Sequence, residues 1–132
     1  MNQQENVDYV KYRMTRAKET LKEVEFLVEN KLFYTAVNRL YYACFYAVSA
    51  LLIQNEIKAK KHAGVKQMFG LHFVLTGKID IASGEFYTYI FEKRQKSDYE
   101  DLISFNEAEV KELILPAQKL IKSIEHLLTL NQ

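Results

Sequence analysis

The segment EKRQKSDYEDL, residues 92–102, sets Arg94, Asp98 and Tyr99 within six positions of one another. A guanidinium presents a rigid fork of N–H donors that matches phosphate oxygens in pairs, so Arg94 is a candidate phosphate clamp. Charge patterning allows a plainer role. Lys93, Gln95, Lys96 and Ser97 surround it, as on a solvated face. Tyr99 could position a substrate or stack on a base. It is a poor general base, because a phenol normally ionises near pH 10. Asp98 lies four residues beyond Arg94 and would reach it on a continued helix.

A second arginine, Arg39, lies inside the most apolar stretch of the chain, Leu32 to Ile53. A buried guanidinium keeps its proton and must find a partner. Asp98 is the expected one, giving a structural Arg39–Asp98 bridge that pins a fourth helix to the second. A catalytic role for that pair is the alternative. Farther along, Lys58, Lys60 and Lys61 precede His62, with Gly64 just after. This is a small basic loop, solvated in the plain reading. At a helix N-terminus it would also suit an anion. His72 faces neither side clearly, and His126 sits where it would favour the dipole of a last helix.

Elements must position these groups. The chain has 132 residues, enough for one domain, read here as 1–132. Four glycines and one proline leave few turns for a sandwich or barrel and favour an all-helical fold. Val7, Val10, Met14, Ala17, Leu21, Val24 and Val28 form one helical stripe, with Asn6 or Asp8 as its cap and Asn30-Lys31 as the turn. LFYTAVNRLYYACFYAVSALLI is apolar on almost every face, as a central helix must be. A membrane span is conceivable by its length, but the stretch after Arg39 is shorter than the ~20 apolar residues required. A buried core helix is the better reading.

A shorter helix is predicted over 62–73 with Val65, Met68, Phe69 and Phe73 inward, broken by Gly77. A fourth begins near Ala82 or Ser83 and turns Phe86, Tyr89 and Ile90 inward. Ser104-x-x-Glu107 and Asn106-x-x-Glu109 both resemble capping boxes for a last helix. Its stripe runs from Val110 to Leu128, and Pro116 inside it predicts a kink. Four to five helices in an antiparallel up-and-down bundle are the economical arrangement.

Several chemistries lack their signatures. Gly77-Lys78 is followed by Ile79 rather than Ser or Thr, so no P-loop is present. No His, Cys or acidic residues show zinc spacing, and neither a metal nor a cofactor is expected. The single cysteine, Cys44, cannot form an internal disulfide and reads as packing in a core helix. That, with an N-terminus lacking a signal peptide's apolar segment, fits a cytoplasmic protein. A net charge of +1 gives no global basic field, so nucleic-acid contact would need a local cluster. Of the nine tyrosines, Tyr41, Tyr42 and Tyr46 fall on the central helix and read as core or dimer-interface residues.

Three blocks together resemble the HEPN domain family: AVNRLYYACFYA at 36–47, KHAGVKQMF at 61–69 and FEKRQKSDY at 91–99. The resemblance covers about 7–128 and points to the small stand-alone prokaryotic members. It implies a helical bundle, usually a homodimer, that associates with nucleotides or RNA; no membrane partner is expected from the apolar length above. Many members are metal-independent ribonucleases, some of them toxins encoded beside a minimal nucleotidyltransferase antitoxin. Their signature is Arg, four to six residues, then His. Arg94 matches the Arg, but Tyr99 stands at the His position and no His occurs from 73 to 125. The resemblance therefore favours a binding module that takes a nucleotide or RNA phosphate on Arg94, with Tyr99, Lys61 and His62 as helpers and a nucleotidyltransferase as partner. A ribonuclease with a rearranged site, Arg94 with Tyr99 in place of His, is the alternative. A purely structural dimer or adaptor is the third.

Overall fold

The computed structural model describes residues 2–99 and 104–130, without the side chains of 97–99. Its elements are α1 (Gln3–Glu29), α2 (Phe33–Gln54), α3 (His62–Phe69), a π-helical turn (Gly70–Val74), α4 (Ile81–Tyr99) and α5 (Glu107–Leu130). All regular structure among the described residues is helical, as the scarcity of turn formers implied. The organising element is α2, which touches α1, α3, α4 and α5. Its all-round apolarity has that cause: Val37, Leu40, Tyr41, Cys44, Val48 and Leu51 are buried against different neighbours. By length and composition α2 could cross a membrane, but 67% of its most apolar window is buried among the other helices.

Local chemistry sets the helix ends. Asn2 caps α1: its side chain accepts the Glu5 N–H at 2.8 Å, and Glu5 accepts the Asn2 N–H at 3.2 Å. The cap lies upstream of Asn6 and Asp8, the positions expected to hold it. Asn6 instead donates to the Ile53 carbonyl at 2.9 Å, tying α1 to the end of α2. Both α1 and α2 close in the same way. Lys31 and Glu56 take left-handed φ values of 59° and 58°. The next residues, Leu32 and Ile57, donate back to Leu27 and Leu52 at 2.8 and 2.9 Å. Of the two capping boxes foreseen for α5, Asn106 with Glu109 forms. The α5 stripe packs as its spacing requires, and Pro116 sits within the continuous helix.

Two expectations for packing change. The helix predicted over 62–73 widens to a π turn at Gly70, and Phe69 and Phe73 stay buried with rings 6.3 Å apart. This turn brings Val74 against Gly84 of α4, where an added Cβ would meet Val74 Cγ1 at 2.7 Å. On α4 the inward face comprises Ser83, Tyr87, Ile90 and Phe91, whereas Tyr89 is 46% exposed. Apolar residues occur on several sides of α4, so its spacing alone did not single out the face that meets α2.

Candidate phosphate-binding site

The site forms around the ring of Tyr41. One turn of α2 carries Tyr41, Tyr42 and Phe45 toward α3 and α4. Tyr41 is fully buried, and the Tyr87 ring of α4 stacks on it at 6.2 Å with 17° between planes. Phe91, one turn along α4, meets Tyr41 edge-on at 6.1 Å. Arg94 follows three residues later on the same side. Its guanidinium lies 5.0 Å from the Tyr41 ring centre and 5.4 Å from that of Tyr42. Aromatic faces attract the cation, which limits where the guanidinium can lie.

His62 enters from the other side as the first residue of α3. Its ring stacks on Phe45 at 4.4 Å, and its Nδ1 lies 2.7 Å from the Tyr41 hydroxyl. Burial pushes the Tyr41 phenol up to about 12, opposed by Tyr87 and by the nearby positive charge of Arg94. Tyr41 therefore stays protonated at neutral pH. A neutral His62 can accept that proton at Nδ1, which places its own proton on Nε2; a doubly protonated ring must instead donate to the Tyr41 oxygen. Burial also raises the Tyr87 phenol. Its hydroxyl is close enough to couple to Tyr41 but makes no hydrogen bond of ordinary geometry.

The structure thus brings together two residues picked out from the sequence, Arg94 and His62. They are joined by a third, Tyr41, that had been read as core. Lys61 occupies the N-cap position of α3, is exposed, and makes no side-chain capping bond. Lys66, one turn into α3, places its ammonium 5.0 Å from the Phe91 ring and adds a second cation near Arg94's end of α4. The signal for Tyr41 and Tyr87 lay in their polarity: a fully buried phenol needs a reason to be there.

Arg39 is part-buried on α2. Its side chain keeps 24% of its surface exposed, and the carboxylate it meets is Glu23 of α1, with Nε to Oε2 at 3.6 Å. Its guanidinium also lies 5.6 Å from the Tyr42 ring. The reason is rotational. Arg39, Tyr42 and Tyr46 lie three and four residues apart, and all three are half-buried along the α1 side of α2. The long side chain reaches the rim from there. The side chains of Asp98 and Tyr99 lie outside the described residues, so the proposed Arg39–Asp98 bridge and the ligand role of Tyr99 do too.

Comparison with known proteins agrees with this architecture. A model of the HEPN domain matches residues 10–127. A UPF0332 protein of Thermotoga maritima is 41% identical over 128 residues, which cover 97% of this chain and 96% of the relative. From Methanocaldococcus jannaschii, a protein named "Putative toxin MJ0605" is 39% identical over 83% of this chain and 81% of its own length. A second from that organism, "Putative toxin MJ0142", is 35% identical over 75% of this chain and 67% of its own. With the match spanning nearly all of its helices, the chain belongs to the HEPN domain family.

Proposed function

We propose that this protein is a HEPN binding module that grips the phosphate of a nucleotide or RNA through Arg94, assisted by His62. Lys61 and Tyr99 lie close to His62 and Arg94 in the sequence and belong to the same proposed site. In this reading the protein is the toxin-like member of a toxin–antitoxin-like pair, works as a homodimer, and has a minimal nucleotidyltransferase as partner. The toxin names of two relatives support that placement. The observation behind the binding role is the convergence on Tyr41. The Arg94 guanidinium lies over its ring at 5.0 Å, and His62 Nδ1 meets its hydroxyl at 2.7 Å. A guanidinium carries five N–H donors, more than one partner takes up, and a charge-assisted bond from one of them to a phosphate oxygen contributes about 1.5–3 kcal/mol.

Titration of the intact protein with 5′-AMP, followed calorimetrically, tests this. Arg94→Ala should weaken binding by about ten- to a hundredfold, the loss of one such bond. A wild-type isotherm for the variant removes the reading. Co-purification with a nucleotidyltransferase encoded next to it tests the partnership.

One observation favours a second reading, a metal-independent endoribonuclease. His62 and Arg94 both lie against Tyr41, although no His occurs from 73 to 125 in the sequence. In the tautomer whose Nδ1–H donates to the Tyr41 oxygen, His62 Nε2 would take the proton of the ribose 2′-hydroxyl as its oxygen attacks the adjacent phosphorus. The P–O5′ bond would break, leaving a 2′,3′-cyclic phosphate and a 5′-hydroxyl protonated from water, while Arg94 would stabilise the charge developing on the phosphate oxygens. Induced expression in bacteria separates the two. Growth arrest with RNA cleavage, abolished by both Arg94→Ala and His62→Gln, selects the enzyme.

A further inference from the structure

We propose that a stripe of arginines and tyrosines on α1 and α2 extends the Arg94 site into a track for single-stranded RNA, so that the ligand is a chain of nucleotides rather than one. This rests on the phosphate-binding reading of Arg94. Tyr9, Arg13 and Arg16 lie four and three residues apart on α1, and Arg39, Tyr42 and Tyr46 lie three and four apart on α2. The two rows run side by side, because α1 and α2 pack along their length.

The rows interlock through ring–guanidinium contacts. Arg13 lies 5.2 Å from the Tyr9 ring and 5.4 Å from the Tyr46 ring, and donates to the Tyr9 hydroxyl at 3.0 Å. Arg16 lies 5.6 Å from the Tyr46 ring. The Tyr46 and Tyr42 rings are 6.0 Å apart, and Tyr42 is shared by Arg39 and Arg94. Hence an unbroken line of neighbouring cations and rings leads from Tyr9 to Arg94. From Tyr46 to Arg39 alone α2 rises about 10 Å, beyond the reach of a single phosphate.

The chemistry fits a single strand. Rings at the surface accept unpaired bases, Tyr9 being 39% exposed, while the arginines follow the backbone. Glu19 faces Arg16 at 3.4 Å and Glu23 faces Arg39 at 3.6 Å. Arg13 is in no ion pair among the described residues. Among the described side chains of α1 and α2, the guanidinia of Arg13, Arg16 and Arg39 against the carboxylates of Glu19 and Glu23 leave the stripe positive although the whole chain carries only +1. A second copy of the same face would set these arginines against one another.

The test measures two ligands on one set of folded variants: 5′-AMP, and a twelve-residue unstructured oligouridine followed by fluorescence anisotropy across a salt series. Circular dichroism melts confirm folding, and sedimentation reports self-association. Arg13→Gln with Arg16→Gln should leave AMP binding unchanged and weaken the oligomer about tenfold or more at low salt. It should also flatten the slope of log affinity against log salt by about 1.4, or about 0.7 for each lost phosphate contact. Tyr46→Leu should weaken the oligomer several-fold with the slope retained, and Tyr46→Phe should not. Wild-type oligomer binding by the double variant overturns the track. So does a change confined to self-association, which would make the stripe a contact between copies. Arg94→Ala is run alongside: if it spares AMP binding, the Arg94 reading fails, whatever the double variant does to RNA.

Discussion

The Tyr41 hydroxyl lies 2.7 Å from His62 Nδ1, so a fully buried phenol of the central helix aims the first residue of α3. Tyr41→Phe removes that bond while keeping the ring on which Arg94 and Tyr87 stack. It should cost about 1 kcal/mol of stability, the usual net value of one hydrogen bond. It should also move the His62 imidazole resonances in NMR spectra at constant pH. Unchanged His62 resonances would mean that Phe45 stacking alone orients the imidazole.

Arg39 at the rim of α2 should matter less than a buried cation would. Its pairing with Glu23 is long, and both side chains are partly exposed. Arg39→Ala is therefore expected to cost about 1 kcal/mol or less, the range for exposed pairs. Denaturant unfolding measures it. A loss of several kcal/mol would point to a stronger anchor for this guanidinium.

Alkaline pH should unfold the protein through its buried phenols. The unfolded Tyr41 has an ordinary phenol value of 10.0, and folding raises it to about 12, with Tyr87 raised as well. A raised folded value means that the stabilisation is complete below pH 10.0 and is lost as pH climbs through about 12. Absorbance at 295 nm should show the Tyr41 and Tyr87 phenols ionising late. The last groups should ionise together with the loss of helical circular dichroism. Smooth titration of all nine tyrosines with helicity intact would contradict this.

The two left-handed helix ends are open to improvement. A residue with a Cβ in that conformation costs roughly 1–2 kcal/mol, partly offset by glycine's greater freedom in the unfolded chain. Lys31→Gly and Glu56→Gly, at φ 59° and 58°, should each stabilise by up to about 1 kcal/mol. Thermal melts would register the rise. A fall in either would mean that the side chain contributes more than its backbone strain costs.

Much of this fold was legible in the order of residues because helices are governed locally. The three-and-four spacing from Val10 to Val28 and from Val110 to Leu128 required two amphipathic helices, and the apolar surround of α2 required a central position. These follow from 3.6 residues per turn and need no knowledge of neighbours. The helix ends were less certain where two boxes competed, as at Ser104 and Asn106, or where the signal sat at the extreme N-terminus, as at Asn2 and Glu5. Arg94 and His62 were visible as candidates by type alone. Their meeting was not, because 32 positions separate them and only the packing of α3 and α4 against α2 closes that distance. The same packing turned Tyr41 from a core ring into the link between them, and carried Arg39 out to the rim beside Glu23. Residue order determines which face of each helix is apolar; how far each helix rotates against its neighbours depends on the fit of many side chains at once, and that rotation decided which polar groups share a site.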